Sequence, residues 1–281
     1  MNGDNAISNE EQAATDQTLP CFDGVALVSG AGSRGPGFGT GKASVVLLAR
    51  LGWAVVVLDS DAARAEETAE LVLGEGGRAS SFVADVRDSA SAGLAVEHAV
   101  STFGKLTTLV NNVGVYKPGL VTQMTDDDLA LSLDVNTKGM LYLTRAAVPA
   151  MQEAGGGAVV NISSISAHVQ ASPAGTVAYA ASKGAMESAA KILAGELGPL
   201  GIRVNTVVPG TLNTPLLQLA LSQKEIELRQ SVAPLGAGGN AWDVAQAVAF
   251  LAGPWSRWIS GATLPVDGGL LTVSAAMHSG A

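Results

Sequence analysis

The feature that most constrains this chain is a glycine-rich turn set between an apolar run and a helical pattern. Val25–Ser29 leads directly into SGAGSRGPGFGTGKASVVLLARLG, which carries Gly30, Gly32, Gly35, Gly37, Gly39 and Gly41. An apolar stripe of Val45, Leu48, Ala49 and Leu51 follows. Glycines let backbone N–H groups approach a phosphate closely, and the N-terminus of the next helix adds partial positive charge. Glycines alone would equally suit a plain surface loop. The strand before and the helix after are what favour a phosphate cradle.

The rest of the chain repeats this alternation. Strands are expected at Val25–Ser29, Ala54–Leu58, Ala79–Val83, Thr108–Asn111, Ala158–Ile162, Arg203–Val208 and Thr263–Val266. Helices are expected near 41–51, 61–73, 89–103, 126–152, 176–198 and 241–252. Runs such as AVVVL and AVVNI are apolar on successive residues, as strands covered on both faces must be. The expected fold is therefore α/β: a single-domain, Rossmann-type, doubly wound parallel sheet flanked by helices. Residues 1–20 offer little to bury and read as a flexible acidic tail, with one dinucleotide-binding catalytic domain over 21–281. The stretch 211–240, with Pro215, Pro234, Gly236, Gly238 and Gly239, reads as a mobile flap over the sheet edge.

Composition narrows the partners. Sixteen Lys and Arg stand against 25 Asp and Glu, a net charge of −9, which argues against nucleic acid and anionic membranes. There is one cysteine, Cys21, and no C-x-x-C pair or His cluster, so no metal is expected. The polar, acidic start lacks the pattern of a signal peptide, and a cytoplasmic location is the expectation.

Two further placements point to chemistry. Asp59 closes the second strand 18 residues after Gly41, where a carboxylate accepts from the adenosine ribose hydroxyls and repels a 2′-phosphate. That favours NAD over NADP; Arg34, in the glycine loop, is the counter-argument. Tyr179 and Lys183, in YAASK, lie one helical turn apart and share a face. A free phenol is too basic to titrate near neutrality, and a neighbouring ammonium favours its phenolate. The pair follows a strand ending in serines, at the sheet edge where open α/β folds place ligands.

Over residues 22–270 the sequence resembles the short-chain dehydrogenase/reductase family. The family's Thr-Gly-x-x-x-Gly-x-Gly appears as Ser29-Gly30, then Gly39-Thr40-Gly41, with five extra residues near Ser33–Phe38. Asp85-Val86 matches its adenine-contacting pair, and Asn111-Asn112-Val113-Gly114 its Asn-Asn-Ala-Gly motif. The resemblance implies cofactor contacts from Gly30, Ser33, Gly39, Gly41, Asp59, Asp85, Val86, Asn112, Gly114, Tyr179, Lys183, Pro209, Gly210 and Thr214. It implies a catalytic set of Asn136, Ser164, Tyr179 and Lys183. Tyr179 would be the general acid/base, and Lys183 would hold the nicotinamide ribose and depress the tyrosine pKa. Ser164 would bond the reacting oxygen, with Ser163 and Ser166 as rivals, and Asn136 would support a water-linked proton path. Asp267, Gly268 and Gly269 would be structural.

The expected activity is hydride transfer between NAD(H) and a secondary alcohol or ketone. A pocket of Val115, Tyr116, His168, Val169, Gln170, Pro173, Thr211, Leu212, Leu216 and Leu217 would take a moderately apolar substrate. His168 reads as solvated, with no partner carboxylate nearby in sequence. The alternatives are a non-catalytic dinucleotide sensor or scaffold and an enoyl-thioester reductase; the latter usually spaces its Tyr and Lys more widely. The family's habit implies a homodimer or homotetramer.

Overall fold

Seven strands lie side by side in one parallel sheet, the central ones apolar on successive residues. The computed structural model describes residues 22–170, 175–215, 222, 224, 226–227, 231–236 and 238–273. The strands are β1 (Val25–Ser29), β2 (Ala54–Asp59), β3 (Arg78–Val83), β4 (Thr108–Asn111), β5 (Gly157–Ile162), β6 (Ile202–Pro209) and β9 (Thr263–Val266), in the order β3-β2-β1-β4-β5-β6-β9. Two short strands, β7 (Leu212–Asn213) and β8 (Gly239–Asn240), pair parallel at the base of the 211–240 segment. The expected tail, Pro173, Leu216, Leu217 and part of the expected flap lie outside the described residues.

Helices α1 (Thr40–Arg50), α2 (Ala62–Gly74) and α7 (Ala241–Ala252) cover one face, packing Val45, Leu48, Val72, Val244 and Val248 onto the sheet. The other face carries α3 (Ser89–Phe103), α5 (Gly139–Glu153) and α6 (Val177–Leu197), through Ala95, Leu143, Met151, Ala190 and Leu197. Each fully buried Val or Leu is worth about 1.5–3 kcal/mol. The central strands β1, β2 and β4 are buried throughout, as their unbroken apolar pattern requires. Arg203 of β6 donates to the carbonyls of Leu251, Ala252 and Gly253, satisfying the open C-terminal end of α7. Among the described residues no helix is long and apolar enough to cross a membrane.

One expected element is divided. The helix read over 126–152 is α4 (Asp126–Leu133), a π-helical turn over Asp134–Lys138, then α5. The π-turn places Asn136, which is fully buried, against the backbone of Val115 in the loop after β4. A tertiary hydrogen-bond pair outside the helix thus accompanies the widened turn, and such turns cluster at functional sites.

The strand order reverses between β1 and β4, so their outgoing loops part and open a crevice at the carboxyl edge of the sheet.

Candidate active site

The crevice is a cavity of about 480 Å³ lined by the glycine turn, the carboxyl ends of β2 to β6 with the loops that follow, and one face of α6. At the turn, Gly30 has φ +62°, a conformation that disfavours a side chain. A Cβ on Gly41 would collide with the Gly30 carbonyl oxygen. Helix α1 starts at Thr40, after Gly39 as N-cap, and no side chain caps it. Its first N–H groups are left to an anion. The five extra residues project as an exposed arch whose far end is anchored. Phe38 packs on Trp242 of α7 (ring centroids 4.9 Å apart), and Ser33 Oγ accepts the Gly39 N–H at 3.2 Å.

Asn112 ties the two sides of the crevice together: its amide donates to the Gly30 carbonyl (2.8 Å), and its oxygen accepts from Thr40 Oγ1 (2.6 Å). Asp59, 8% exposed at the end of β2, accepts from the Gly32 N–H at 3.0 Å and the Asp61 N–H at 3.1 Å. Arg64, in the first turn of α2, faces it at 3.5 Å. Arg34, the competing cation expected from the sequence, is exposed on the arch, and Arg64 is the guanidinium beside Asp59. Asp85 also lines the cavity, bound by Arg87 at 2.6 Å, which holds its carboxyl below the usual range. Val86 is buried against Gly139. Pro209, Gly210 and Thr214 line the cavity on the β6 side. Asp267 is turned away, accepting from the Gly269 and Leu271 N–H groups.

The chemical groups meet at the other end. Tyr179 and Lys183 both reach the cavity from α6, with Lys183 Nζ 5.9 Å from the Tyr179 ring centroid. Ser164, after β5, hydrogen-bonds the Tyr179 side chain. Of its rivals, Ser163 donates to Glu187 at 2.5 Å, and Ser166 is buried and lines a different cavity. Asn136 accepts the Val115 N–H (2.8 Å) and donates to the Val115 carbonyl (3.0 Å) and to Ser182 Oγ (2.9 Å). Tyr116 meets the Tyr179 ring edge-on at 5.3 Å.

The electrostatics depart from the sequence expectation. Burial pushes the Tyr179 hydroxyl above its ordinary pKa; Ser164 opposes this only in part, and Tyr116 adds to it. The lowering expected from Lys183 does not prevail. Lys183 is 2% exposed, donates to the Ile162 carbonyl at 2.7 Å, and is pulled down to about 8 by the loss of water. Its charge is thereby held only up to about pH 8, and its N–H bond points to the strand end.

Two residues escaped the sequence reading. Arg64 follows Asp59 by five positions, but only the short β2–α2 connection brings it back. Glu187 lies one turn beyond Lys183 on the same stripe and holds His168 Nε2 at 3.0 Å. His168 is therefore carboxylate-paired, not simply solvated; its partner is 19 residues away in sequence. Among the described residues, no group of three or more His, Cys, Asp or Glu side chains could hold a metal ion.

Comparison with known proteins agrees with this layout. A family model described as enoyl-(acyl carrier protein) reductase matches residues 36–271. An uncharacterised oxidoreductase of Methylorubrum extorquens is 40% identical, with 88% of this chain and 97% of that one covered. A 3-oxoacyl-[acyl-carrier-protein] reductase of Thermotoga maritima is 34% identical over 88% of this chain and 97% of its own. Among solved structures, a 7α-hydroxysteroid dehydrogenase complexed with NADH and 7-oxo glycochenodeoxycholic acid superposes with a TM-score of 0.82, at 30% identity, covering 89% of this chain and 95% of that chain. A short-chain dehydrogenase/reductase from Burkholderia xenovorans gives 0.85 at 37% identity, over 89% of this chain and 97% of that chain. With its parallel sheet, glycine turn and Tyr–Lys helix in one crevice, the chain belongs to the short-chain dehydrogenase/reductase family of oxidoreductases.

Proposed function

We propose that this protein interconverts a secondary alcohol and a ketone with NAD(H), using Tyr179 as general acid/base. The observation that carries this reading is the sharing of one cavity by Tyr179, Lys183 and Ser164 with the glycine turn and Asp59.

The residues present fit a nicotinamide dinucleotide. The uncapped start of α1 and the Gly30–Gly41 turn would hold a pyrophosphate, and Asp59 retains acceptor capacity for ribose hydroxyls, since a carboxylate has about four lone-pair sites. Asp85 and Val86 would flank the adenine, Lys183 the nicotinamide ribose, and Pro209, Gly210 and Thr214 the carboxamide. When bound, that group takes up or supplies hydride at nicotinamide C4. The chain itself handles the proton. Tyr179 holds it on its hydroxyl at neutral pH, since burial raises its pKa, and is thereby set to donate to a ketone oxygen. Ser164, already bonded to Tyr179, steadies charge on that same oxygen. Oxidation needs the phenolate and is favoured as pH rises.

On the substrate side, Leu120, Val121, Val169 and Val177 are exposed apolar residues lining a neighbouring cavity of about 350 Å³ that His168 also borders. Such a lining suits a moderately apolar carbonyl compound. The protein would act as a homodimer or homotetramer.

The test is a panel of alcohols and ketones followed by cofactor absorbance, with Tyr179→Phe beside wild type. The variant is expected to lose about 10²–10⁴-fold in kcat while binding NADH as before. Turnover within a few-fold of wild type would refute the assignment. The family description and the acyl-carrier relatives favour a second reading on thioesters. A 3-oxoacyl thioester remains a ketone for the same machinery. A 2-enoyl thioester is reduced at carbon, and faster reduction of it would replace the proposed reaction.

A further inference from the structure

Helix α6 carries a third chemical group in register with the first two. Tyr179, Lys183 and Glu187 follow one another at intervals of four residues, so they form a single stripe. Glu187 is 7% exposed and charged side chains are seldom so buried without partners. Here it has two, from two different segments. Ser163 Oγ, at the end of β5 and adjacent to Ser164, donates to it at 2.5 Å; His168 Nε2, from the loop that follows, lies 3.0 Å away. Ser163 Oγ also touches the Lys183 carbonyl at 3.4 Å.

We propose that Glu187 is a positioning residue of the active site, whose buried carboxylate locks the Ser163–Ser164 strand end and the His168 loop onto α6 and acts as counter-charge to Lys183. The inference rests on the reading of Lys183 and Tyr179 as reaction groups. The anion opposes the effect of burial on Lys183, so the lysine keeps more of its positive charge than its surroundings alone would allow. Through Ser163 it also fixes the backbone from which Ser164 reaches Tyr179. Glu187 itself does not line the cavity that Tyr179 and Lys183 reach.

Among the described residues the groups around this pair are few. From its own helix, Lys183 is faced by Tyr179 and Glu187. From the β4 loop it is faced by Gly114, beside which the neutral Asn136 of the π-turn also lies. Tyr116 reaches Tyr179 from the same loop. Of the charged groups on elements packed against α6, Asp134 and Lys138 pair with each other at 2.6 Å, Asp126–Asp128 begin α4, and Arg203 is bound to the carbonyls ending α7.

The experiment uses Glu187→Gln, which keeps hydrogen-bonding capacity and removes the charge, and Glu187→Asp, which keeps the charge. Two measurements are made. The pH profile of kcat/KM for ketone reduction is expected to lose activity earlier on the alkaline side in Glu187→Gln, by about one pH unit, as expected for loss of a nearby opposite charge. Glu187→Asp is expected to stay near the wild-type profile. Separately, denaturant midpoints are measured at pH 7 for Glu187→Gln in the wild-type and Lys183→Met backgrounds. The midpoint is expected to fall in the first and to hold or rise in the second, where the carboxylate has no cation to balance. Equal losses in both backgrounds, or identical pH profiles for the Gln and Asp variants, would overturn the proposal. If no carbonyl compound is turned over by wild type and the stability coupling is still present, the coupling stands and the proposed reaction falls.

Discussion

Lys183 offers a direct measure of what the active site costs the fold. Its ammonium is sealed under the crevice, 2% exposed, and burial lowers its pKa from 10.5 to about 8. At 1.36 kcal/mol per unit, holding that charge at neutral pH costs folding about 3 kcal/mol. Replacing it with the similarly long but uncharged Met removes this penalty. The replacement also forfeits the ammonium's bond to the Ile162 carbonyl, about 2 kcal/mol for a charged donor. The attraction of Glu187 is already contained in the net lowering of the lysine pKa and adds no further cost. The net expectation is that Lys183→Met is more stable than wild type at pH 7 by about 1 kcal/mol, while turnover is lost. The pH dependence has a definite sign. Below pH 8 the lysine is protonated in both folded and unfolded chains, and the penalty is fully present. Between about 8 and 10.5 the folded chain releases its proton before the unfolded chain does, so wild type gains stability as pH rises. Urea unfolding followed by the fluorescence of the buried Trp53 should therefore show Lys183→Met ahead at pH 7, level near pH 9, and behind by about pH 10. A variant that trails wild type by the same margin at every pH would refute the claim that a strained charge is stored there.

Cofactor choice should follow Asp59 and Arg64. Asp59→Ala is expected to raise the NADPH/NADH ratio of kcat/KM by at least about tenfold, because it removes the repulsion of a 2′-phosphate and leaves the guanidinium beside it. Arg64→Ala should shift the ratio toward NADH, and steady-state kinetics with both cofactors checks the pair. Gly41→Ala is expected to destabilise the fold by about 1–3 kcal/mol and to abolish dinucleotide binding, since its Cβ would meet the Gly30 carbonyl. Calorimetry of NADH binding beside a melting curve would show both effects, and unchanged binding would remove the turn from the site.

What could be read in the sequence was what local chemistry dictates. Apolar runs such as Ala54–Asp59 need cover on both faces, so they announced a parallel sheet before any pairing was known. The closing Gly39-Thr40-Gly41 was legible because a helix must start where its N–H groups become free. The five-residue insertion near Ser33–Phe38 was legible too, but its anchoring was not, since Phe38 finds Trp242 some 200 residues later. The π-turn escaped for a similar reason. The run Asp134–Lys138 carries no helix breaker, and its departure from α geometry goes with the grip of Asn136 on Val115. The stripe on α6 shows most clearly where the boundary falls. Helical spacing alone puts Tyr179, Lys183 and Glu187 on one face, and it says nothing about water. Once the fold closes over them, burial acts on the phenol and the ammonium in opposite directions, pushing each toward its neutral form. A lysine expected to draw a proton off tyrosine holds its own charge only up to about pH 8, and a carboxylate one turn away limits that loss. Pairing rules read from sequence assume solvent-like charges; an active site sealed by its own fold breaks that assumption first, and the residues that repair it are the ones a motif search passes over.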